Sequence, residues 1–143
     1  MKADFNTMPR IFSECNRKYF DHSLPRPKFG LFNKKHTFAQ FSWNWNRKNK
    51  KCPIKNQKIA FTDCYDFEEK DFVDIMVHEM IHYYIALNGI KDNNDHGKEF
   101  QRIMNDLNEK YGLNVEIKKS TSSFKQTENV PKFDNPILNF FFG

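Results

Sequence analysis

Cysteine is scarce in this chain of 143 residues, and its spacing excludes two kinds of small domain. The three cysteines, Cys15, Cys52 and Cys64, form no C-x-x-C pair. A zinc ribbon needs such pairs, and a disulfide framework needs an even set of cysteines. We therefore expect free thiols and a reducing compartment, with the cytoplasm as the simplest location.

Long apolar runs are also missing. No stretch reaches the roughly 18 to 20 apolar residues that a membrane-spanning helix needs. The first residues, through Phe5, lack the apolar segment of a signal peptide, so we expect neither a leader nor a membrane anchor. Leucine is scarce, whereas phenylalanine occurs 16 times. Length predicts one domain, and we expect its core to be largely aromatic.

Positive charge is concentrated in the first part of the chain. Residues 1–58 contain 14 Lys or Arg against 3 Asp or Glu, whereas residues 59–116 contain 5 against 13. This asymmetry predicts a surface that faces a polyanion, beside an acidic half. The segment from Arg47 to Lys58 has six positive and no negative residues, and Trp43 and Trp45 precede it.

Hydrophobic periodicity predicts three helices. The first begins near Thr7 and ends before residues 23–27, which contain two prolines. The second spans residues 68–88 and is apolar around most of its circumference, which indicates a central helix. The third begins after a polar loop at residues 93–95 and ends at Gly112.

Short β-type runs complete a predicted α+β fold. They occupy residues 28–32, 37–43, 58–62 and 113–117. Residues 33–36 have the composition of a hairpin turn between the first two strands, and residues 44–57 that of a long basic loop. Residues 119–143 are rich in Ser and Thr at their start and lack periodicity, which predicts a flexible C-terminal tail.

One run on the second predicted helix carries metal-binding chemistry. His78 and His82 form the pattern H-E-x-x-H, and residues four apart lie about 40° from each other on one helical face. Two imidazoles placed in this way bind one Zn²⁺. Glu79 lies about 100° from His78 around the helix axis. Its carboxylate can take a proton from a metal-activated water, so the run predicts a zinc hydrolase with Glu79 as general base.

A hydrolytic zinc site needs a third protein ligand and one position for water. Of the remaining histidines, His22, His36 and His96, the last follows the metal helix by one loop and lies at the start of the next helix. Ligand histidines also need acceptors that orient their rings, and Asp74 and Asp95 are the acidic candidates. The predicted ligand set for one zinc ion is His78, His82 and His96.

These residues resemble a known family. The H-E-x-x-H run, followed by the H-G-K-E-F run from His96 to Phe100, resembles the SprT-like metalloprotease family, which includes the DNA-repair protease Spartan. The F-D-H-S-L-P segment at residues 20–25 and the K-I-A-F-T segment at residues 58–62 are also similar to that family. The resemblance covers roughly residues 5–118.

The resemblance implies a fold, a cofactor and an activity. The implied fold is a zincin-like α+β domain over residues 5–118, with an N-terminal helix, a small mixed sheet of about three to four strands, the central H-E-x-x-H helix and a following helix. It implies zinc on the three histidines named above, with Glu79 catalytic. It also implies hydrolysis of peptide bonds, which in the better-known members means cleavage of proteins attached to DNA.

The basic segment predicts a nucleic-acid partner. Lys and Arg attract phosphates, and aromatic rings stack on unpaired bases. We expect single-stranded or distorted DNA to contact the N-terminal basic half near the cleft. An ordinary solvated loop is the alternative. The candidate DNA-binding residues are Trp45, Arg47, Lys48, Lys50 and Lys51.

The predicted function is that of a monomeric zinc metalloendopeptidase whose substrates are DNA-bound or DNA-crosslinked proteins. A zinc-dependent hydrolase acting on RNA is one alternative, although 14 positions separate His82 from His96, more than the ribonuclease-like pattern has. A non-catalytic module, in which zinc stabilises the fold and the basic face binds nucleic acid, is another. A peptide deformylase would need a Gly-Cys ligand, which the sequence lacks.

Overall fold

The computed structural model describes residues 1–120 and 124–131. Over those residues it contains three helices, a three-stranded sheet and a two-stranded sheet. The predicted α+β class and its small mixed sheet are confirmed. In chain order the elements are α1 (Thr7–Tyr19), β1 (Lys28–Phe32), β2 (Ala39–Trp45), β3 (Ile54–Thr62), β4 (Tyr65–Asp66), α2 (Glu69–Leu87), α3 (Lys98–Tyr111) and β5 (Lys125–Gln126).

The three-stranded sheet has β3 at its centre, in the order β1-β3-β2. β1 runs parallel to β3, whereas β2 runs antiparallel to it. The hairpin predicted at residues 33–36 is therefore wrong, because β1 and β2 do not pair with each other. The last four residues of β3 are all buried, whereas β1 and β2 carry exposed residues along their length. A strand buried on both faces occupies the centre of a sheet, with a neighbour on each side.

The hairpin between β2 and β3 is longer than its sequence indicates. β2 continues to Trp45 and β3 begins at Ile54, so the predicted loop at residues 44–57 is reduced to residues 46–53. The register shifts between Ser42 and Asn44, and Asn56 adopts a positive φ of 56°. Asn tolerates this conformation, which suits a bulge that bends the end of the hairpin.

α2 is the central helix, and aromatic rings hold it on the sheet. Phe72 stacks on Phe61 of β3, with ring centroids 4.4 Å apart. Tyr83 stacks on Phe41 of β2 at 5.0 Å. α1 and α3 also pack against α2. Each fully buried large apolar side chain contributes about 1.5–3 kcal/mol to stability. No helix within the described residues is both long enough and apolar enough to cross a membrane.

The described part of the predicted tail packs on the domain. β5 pairs antiparallel with β4, where Gln126 lies opposite Tyr65. The ring of Phe124 meets that of Phe38, with centroids 4.9 Å apart. Phe124 is partly buried, although the residues next to it in the sequence are polar. The remainder of the tail, residues 121–123 and 132–143, lies outside the described residues, and the domain boundary at residue 118 stays a prediction.

Candidate metal centre

α2 and the loop that follows it bring three imidazoles together. His78 is buried and His82 is half-buried, with ring centroids 5.1 Å apart. His96 lies in the loop between α2 and α3, two residues before α3 begins. Its Nε2 atom lies 3.1 Å from Nε2 of His78 and 3.2 Å from Nε2 of His82. The structure therefore places the three predicted ligands in one cluster.

The converging nitrogens form a donor set that fits zinc. Zn–N bonds of about 2.0–2.1 Å in tetrahedral geometry place ligand nitrogens about 3.3–3.4 Å apart. The observed separations are 3.1 and 3.2 Å. Within residues 1–120 and 124–131, these histidines are the one group of three or more His, Cys, Asp or Glu with metal-binding proximity. Three imidazoles leave a fourth position, as in hydrolytic zinc sites.

Glu79 lies beside this donor set with its carboxylate buried. Its Oε2 atom lies 4.0 Å from Nε2 of His78, and its side chain is almost wholly excluded from solvent. That oxygen has no hydrogen-bond partner among the described residues. A buried polar atom left unsatisfied costs on the order of 1–3 kcal/mol. An oxygen held in this state fits a site that receives a water molecule or a polar group of a substrate.

The surroundings of Glu79 shift its proton affinity. Burial raises the pKa of Glu79 to about 8, and a hydrogen bond from the backbone N–H of Phe41 acts in the opposite direction. A cation held by the three histidines favours the carboxylate form in the same way as any nearby positive charge. A carboxyl group with these two influences is suited to proton transfer near neutral pH.

A backbone carbonyl orients His78. The Nδ1 atom of His78 lies 2.8 Å from the carbonyl oxygen of Glu116. Because a carbonyl only accepts, Nδ1 carries the proton and Nε2 presents its lone pair to the donor set. Oδ1 of Asp74 accepts the backbone N–H of Asn114, and its predicted role as an acceptor for a ligand histidine stays a prediction. Asp95 is exposed on the loop before His96, and its role stays a prediction.

A capped loop holds His96. The carboxylate of Asp92 accepts the backbone N–H of Phe100 at 2.9 Å and that of Asn93 at 3.0 Å. A negative charge in this position complements the start of α3. A Cβ atom on Gly97 would lie 2.2 Å from Oδ1 of Asp92. Oδ1 of Asn93 would lie at the same distance, so glycine next to His96 allows two side-chain oxygens to approach its backbone closely.

The predicted DNA-binding residues lie at the far end of the β2–β3 hairpin. Trp45 is 62 % exposed, and its ring packs edge-on against Trp43, with centroids 4.4 Å apart. Lys48 and Lys51 are exposed on the same loop. An open cavity of about 410 Å³ is lined by Trp45, Asn46, Arg47, Asn49, Lys50 and Pro53.

The fold and the histidine cluster together define a zincin-like domain. The model of the SprT-like family matches residues 8–120, which is most of the chain. The protein therefore belongs to the SprT-like family, a zincin-like metalloprotease family. A comparison with curated proteins found no match.

Proposed function

We propose that the protein is a zinc-dependent metalloendopeptidase. One observation carries the proposal: Nε2 of His96 lies 3.1 Å from Nε2 of His78 and 3.2 Å from Nε2 of His82, beside a buried carboxylate oxygen that has no partner among the described residues. Ligand nitrogens alone would suit a structural metal site. A carboxylate placed next to them and left unsatisfied suits a site that activates water.

Each residue of the site has a distinct role in this proposal. His78, His82 and His96 hold the metal ion. Zinc, when bound, lowers the pKa of a coordinated water to about 7 and polarises the substrate carbonyl. Glu79 takes the proton from the attacking water and passes it to the leaving nitrogen. The backbone N–H of Phe41 holds the Glu79 carboxylate in place while Oε2 faces the ligand atoms.

The position of β2 favours a peptide over RNA as substrate. Among the described strands, β2 has a neighbour on one side only. Its Phe41 reaches Glu79 through the backbone, so the open edge of the strand runs beside the metal centre. An extended peptide can pair with such an edge through its own backbone. Recognition of this kind requires little side-chain preference and gives no comparable fit to an RNA backbone.

We further propose that the basic loop, residues 46–53 together with Trp45, binds single-stranded or distorted DNA. The exposed ring of Trp45 offers a stacking surface, worth about 1–3 kcal/mol per base. Arg47 and Lys50 line the adjacent cavity, and cations there attract phosphates. Trp45 and Phe41 lie four residues apart on one strand, about 13 Å. A protein attached to DNA at this loop therefore lies within reach of Glu79.

The catalytic proposal is tested with the wild type and Glu79→Gln. Both should bind one zinc ion per chain, because glutamine leaves the three histidines in place. Only the wild type should cleave a DNA-binding protein, and the variant should be slower by about 10²–10⁴-fold. Equal cleavage by both would contradict the proposal. Zinc binding without hydrolysis by either would support the non-catalytic module, and hydrolysis of RNA alone would support the ribonuclease-like alternative.

The DNA proposal needs a separate comparison at matched charge. Neutralising Arg47, Lys48, Lys50 and Lys51 should weaken binding of single-stranded DNA and reduce its salt dependence by roughly 0.7 per lost phosphate contact. A control variant removes four exposed lysines elsewhere and should bind more tightly than the loop variant. Equal affinities for the two would show that net charge, and not the loop, determines binding. The control positions are Lys18, Lys70, Lys91 and Lys98.

A further inference from the structure

One side chain takes the place of a strand partner for the segment after α3. The sequence predicts a strand at residues 113–117, but the structure forms none there. Instead, Nδ2 of Asn108 donates to the carbonyl of Val115 at 3.0 Å, and Oδ1 of Asn108 accepts the Val115 N–H at 2.8 Å. Val115 is buried, so both of its backbone groups need partners. The amide of Asn108 supplies both.

The clamped residue stands next to the carbonyl that orients a metal ligand. Glu116 follows Val115, and its carbonyl oxygen accepts the hydrogen bond from Nδ1 of His78 at 2.8 Å. On the other side of the clamp, the N–H of Asn114 donates to Oδ1 of Asp74 at 3.1 Å. The backbone of Asn114 and that of Glu116 are thus hydrogen-bonded to α2, and the backbone of Val115 between them is hydrogen-bonded to α3. The position of the Glu116 carbonyl depends on that of Val115.

We propose that Asn108 is a positioning residue for the metal centre. By holding Val115, Asn108 fixes the position of the Glu116 carbonyl. The hydrogen bond from Nδ1 of His78 to this carbonyl then orients the ring so that Nε2 faces His82 and His96. A carbonyl displaced by about 1 Å no longer makes a hydrogen bond of normal length, and the imidazole then loses both its orientation and part of its basicity. The inference rests on the zinc-binding part of the proposed function.

The chain contains a matched control for this clamp. Nδ2 of Asn16 donates to the carbonyl of Leu24 at 2.8 Å, and Oδ1 of Asn16 accepts the Leu24 N–H at 3.2 Å. The geometry is the same, at the end of α1 instead of α3. The residue after Leu24 is Pro25, whose carbonyl accepts the hydroxyl of Tyr83 and not a ligand histidine. Replacing Asn16 therefore removes equivalent hydrogen bonds without disturbing the acceptor of His78.

The test compares the wild type, Asn108→Ala and Asn16→Ala by chelator competition for zinc and by NMR of the His78 Nδ1–H proton. Both variants should be less stable towards urea. Only Asn108→Ala should weaken zinc affinity, by about tenfold, and shift or broaden the His78 signal. An unchanged zinc affinity and His78 signal in Asn108→Ala would overturn the inference. An equal loss of affinity in Asn16→Ala would overturn it too.

A second variant covers the case in which Asn108→Ala does not fold. Asn108→Asp keeps the volume and the acceptor for the Val115 N–H but lacks the donor to the Val115 carbonyl, so its zinc affinity should lie below that of the wild type. Wild-type affinity in this variant would overturn the inference. A wild type that binds no zinc would overturn the proposed function as well, whereas zinc binding that is insensitive to position 108 would overturn the inference alone.

Discussion

The backbone N–H of Phe41 donates a hydrogen bond to the carboxylate of Glu79. This contact joins an edge strand of the sheet to the helix that carries two of the three converging histidines. In the proposed function, the strand that pairs with an extended peptide therefore also contacts the general base.

Replacing Phe41 by two different residues separates its N–H from its ring. Phe41→Pro removes both the donor and the stacking on Tyr83, whereas Phe41→Ala removes only the stacking. Proline is tolerated on edge strands where its nitrogen faces away from the sheet. We expect peptide cleavage by the proline variant to be slower than by the alanine variant, by about tenfold for one lost hydrogen bond to a charged group. Equal rates at equal zinc content would show that the N–H has no role in catalysis.

Two glycine substitutions should affect zinc binding differently. In Gly97→Ala the new Cβ would lie 2.2 Å from Oδ1 of Asp92 and from Oδ1 of Asn93, so the Asp92 carboxylate that accepts from Phe100 must shift, and we expect the loop with His96 to shift with it. Gly89 has a φ of 62°, and a Cβ there meets nothing within 4 Å. Gly89→Ala should therefore lower the free energy of unfolding by about 1 kcal/mol through its backbone conformation alone.

Zinc titration and urea unfolding distinguish the two variants. We expect Gly97→Ala to weaken zinc affinity and Gly89→Ala to retain it, although both are destabilised. Comparable zinc affinities in the two variants would contradict the role given to the contact between Gly97 and Asp92.

The pH dependence of stability should change in Asp74→Asn. Burial raises the pKa of Asp74, against opposing effects from the Asn114 N–H and Lys119. A carboxyl group whose pKa is higher in the folded state favours folding at low pH, and this contribution is lost as pH rises through the folded-state pKa. Asparagine keeps an oxygen that can accept from Asn114 and removes the charge. The variant should thus be more stable than the wild type at pH 7.

Urea unfolding of the zinc-free proteins between pH 4.5 and 7 measures this difference. The range begins about half a unit above the ordinary pKa of Asp. The advantage of Asp74→Asn should shrink as pH falls. An advantage that grows towards low pH would mean that the native environment lowers the pKa of Asp74.

The meeting of the three histidines could be predicted because it depends on short-range geometry. His78 and His82 share a face through helical spacing alone, and a loop of ordinary length returns the chain to them at His96. Gly97 follows His96 in the H-G-K-E-F run, and glycine allows close approach to the backbone, which is a general reason for its position. Its specific cause, the carboxylate of Asp92 against the start of α3, depends on how the loop folds and has no signature in spacing.

Other parts of the site and fold depend on contacts that sequence patterns do not record. The acceptor of His78 is the carbonyl of Glu116, and every residue has a carbonyl, so nothing marks this one. The order of the strands depends on which strand is buried on both faces. The apolar residues in the run that ends at Thr62 indicate this burial only in part. Phe124 packs on an aromatic cluster from within a segment whose composition predicts a flexible tail.

The central claim is that three imidazoles hold one zinc ion, and X-ray absorption at the zinc edge tests it most directly. The zinc-loaded wild type should contain one zinc ion per chain, with three imidazole nitrogens at about 2.0–2.1 Å and no sulfur at about 2.3 Å. His96→Ala should lose one imidazole or the ion itself. His22→Asn, an exposed control whose φ of 58° asparagine tolerates, should match the wild type. A sulfur ligand, or an unchanged imidazole count in His96→Ala, would contradict the account.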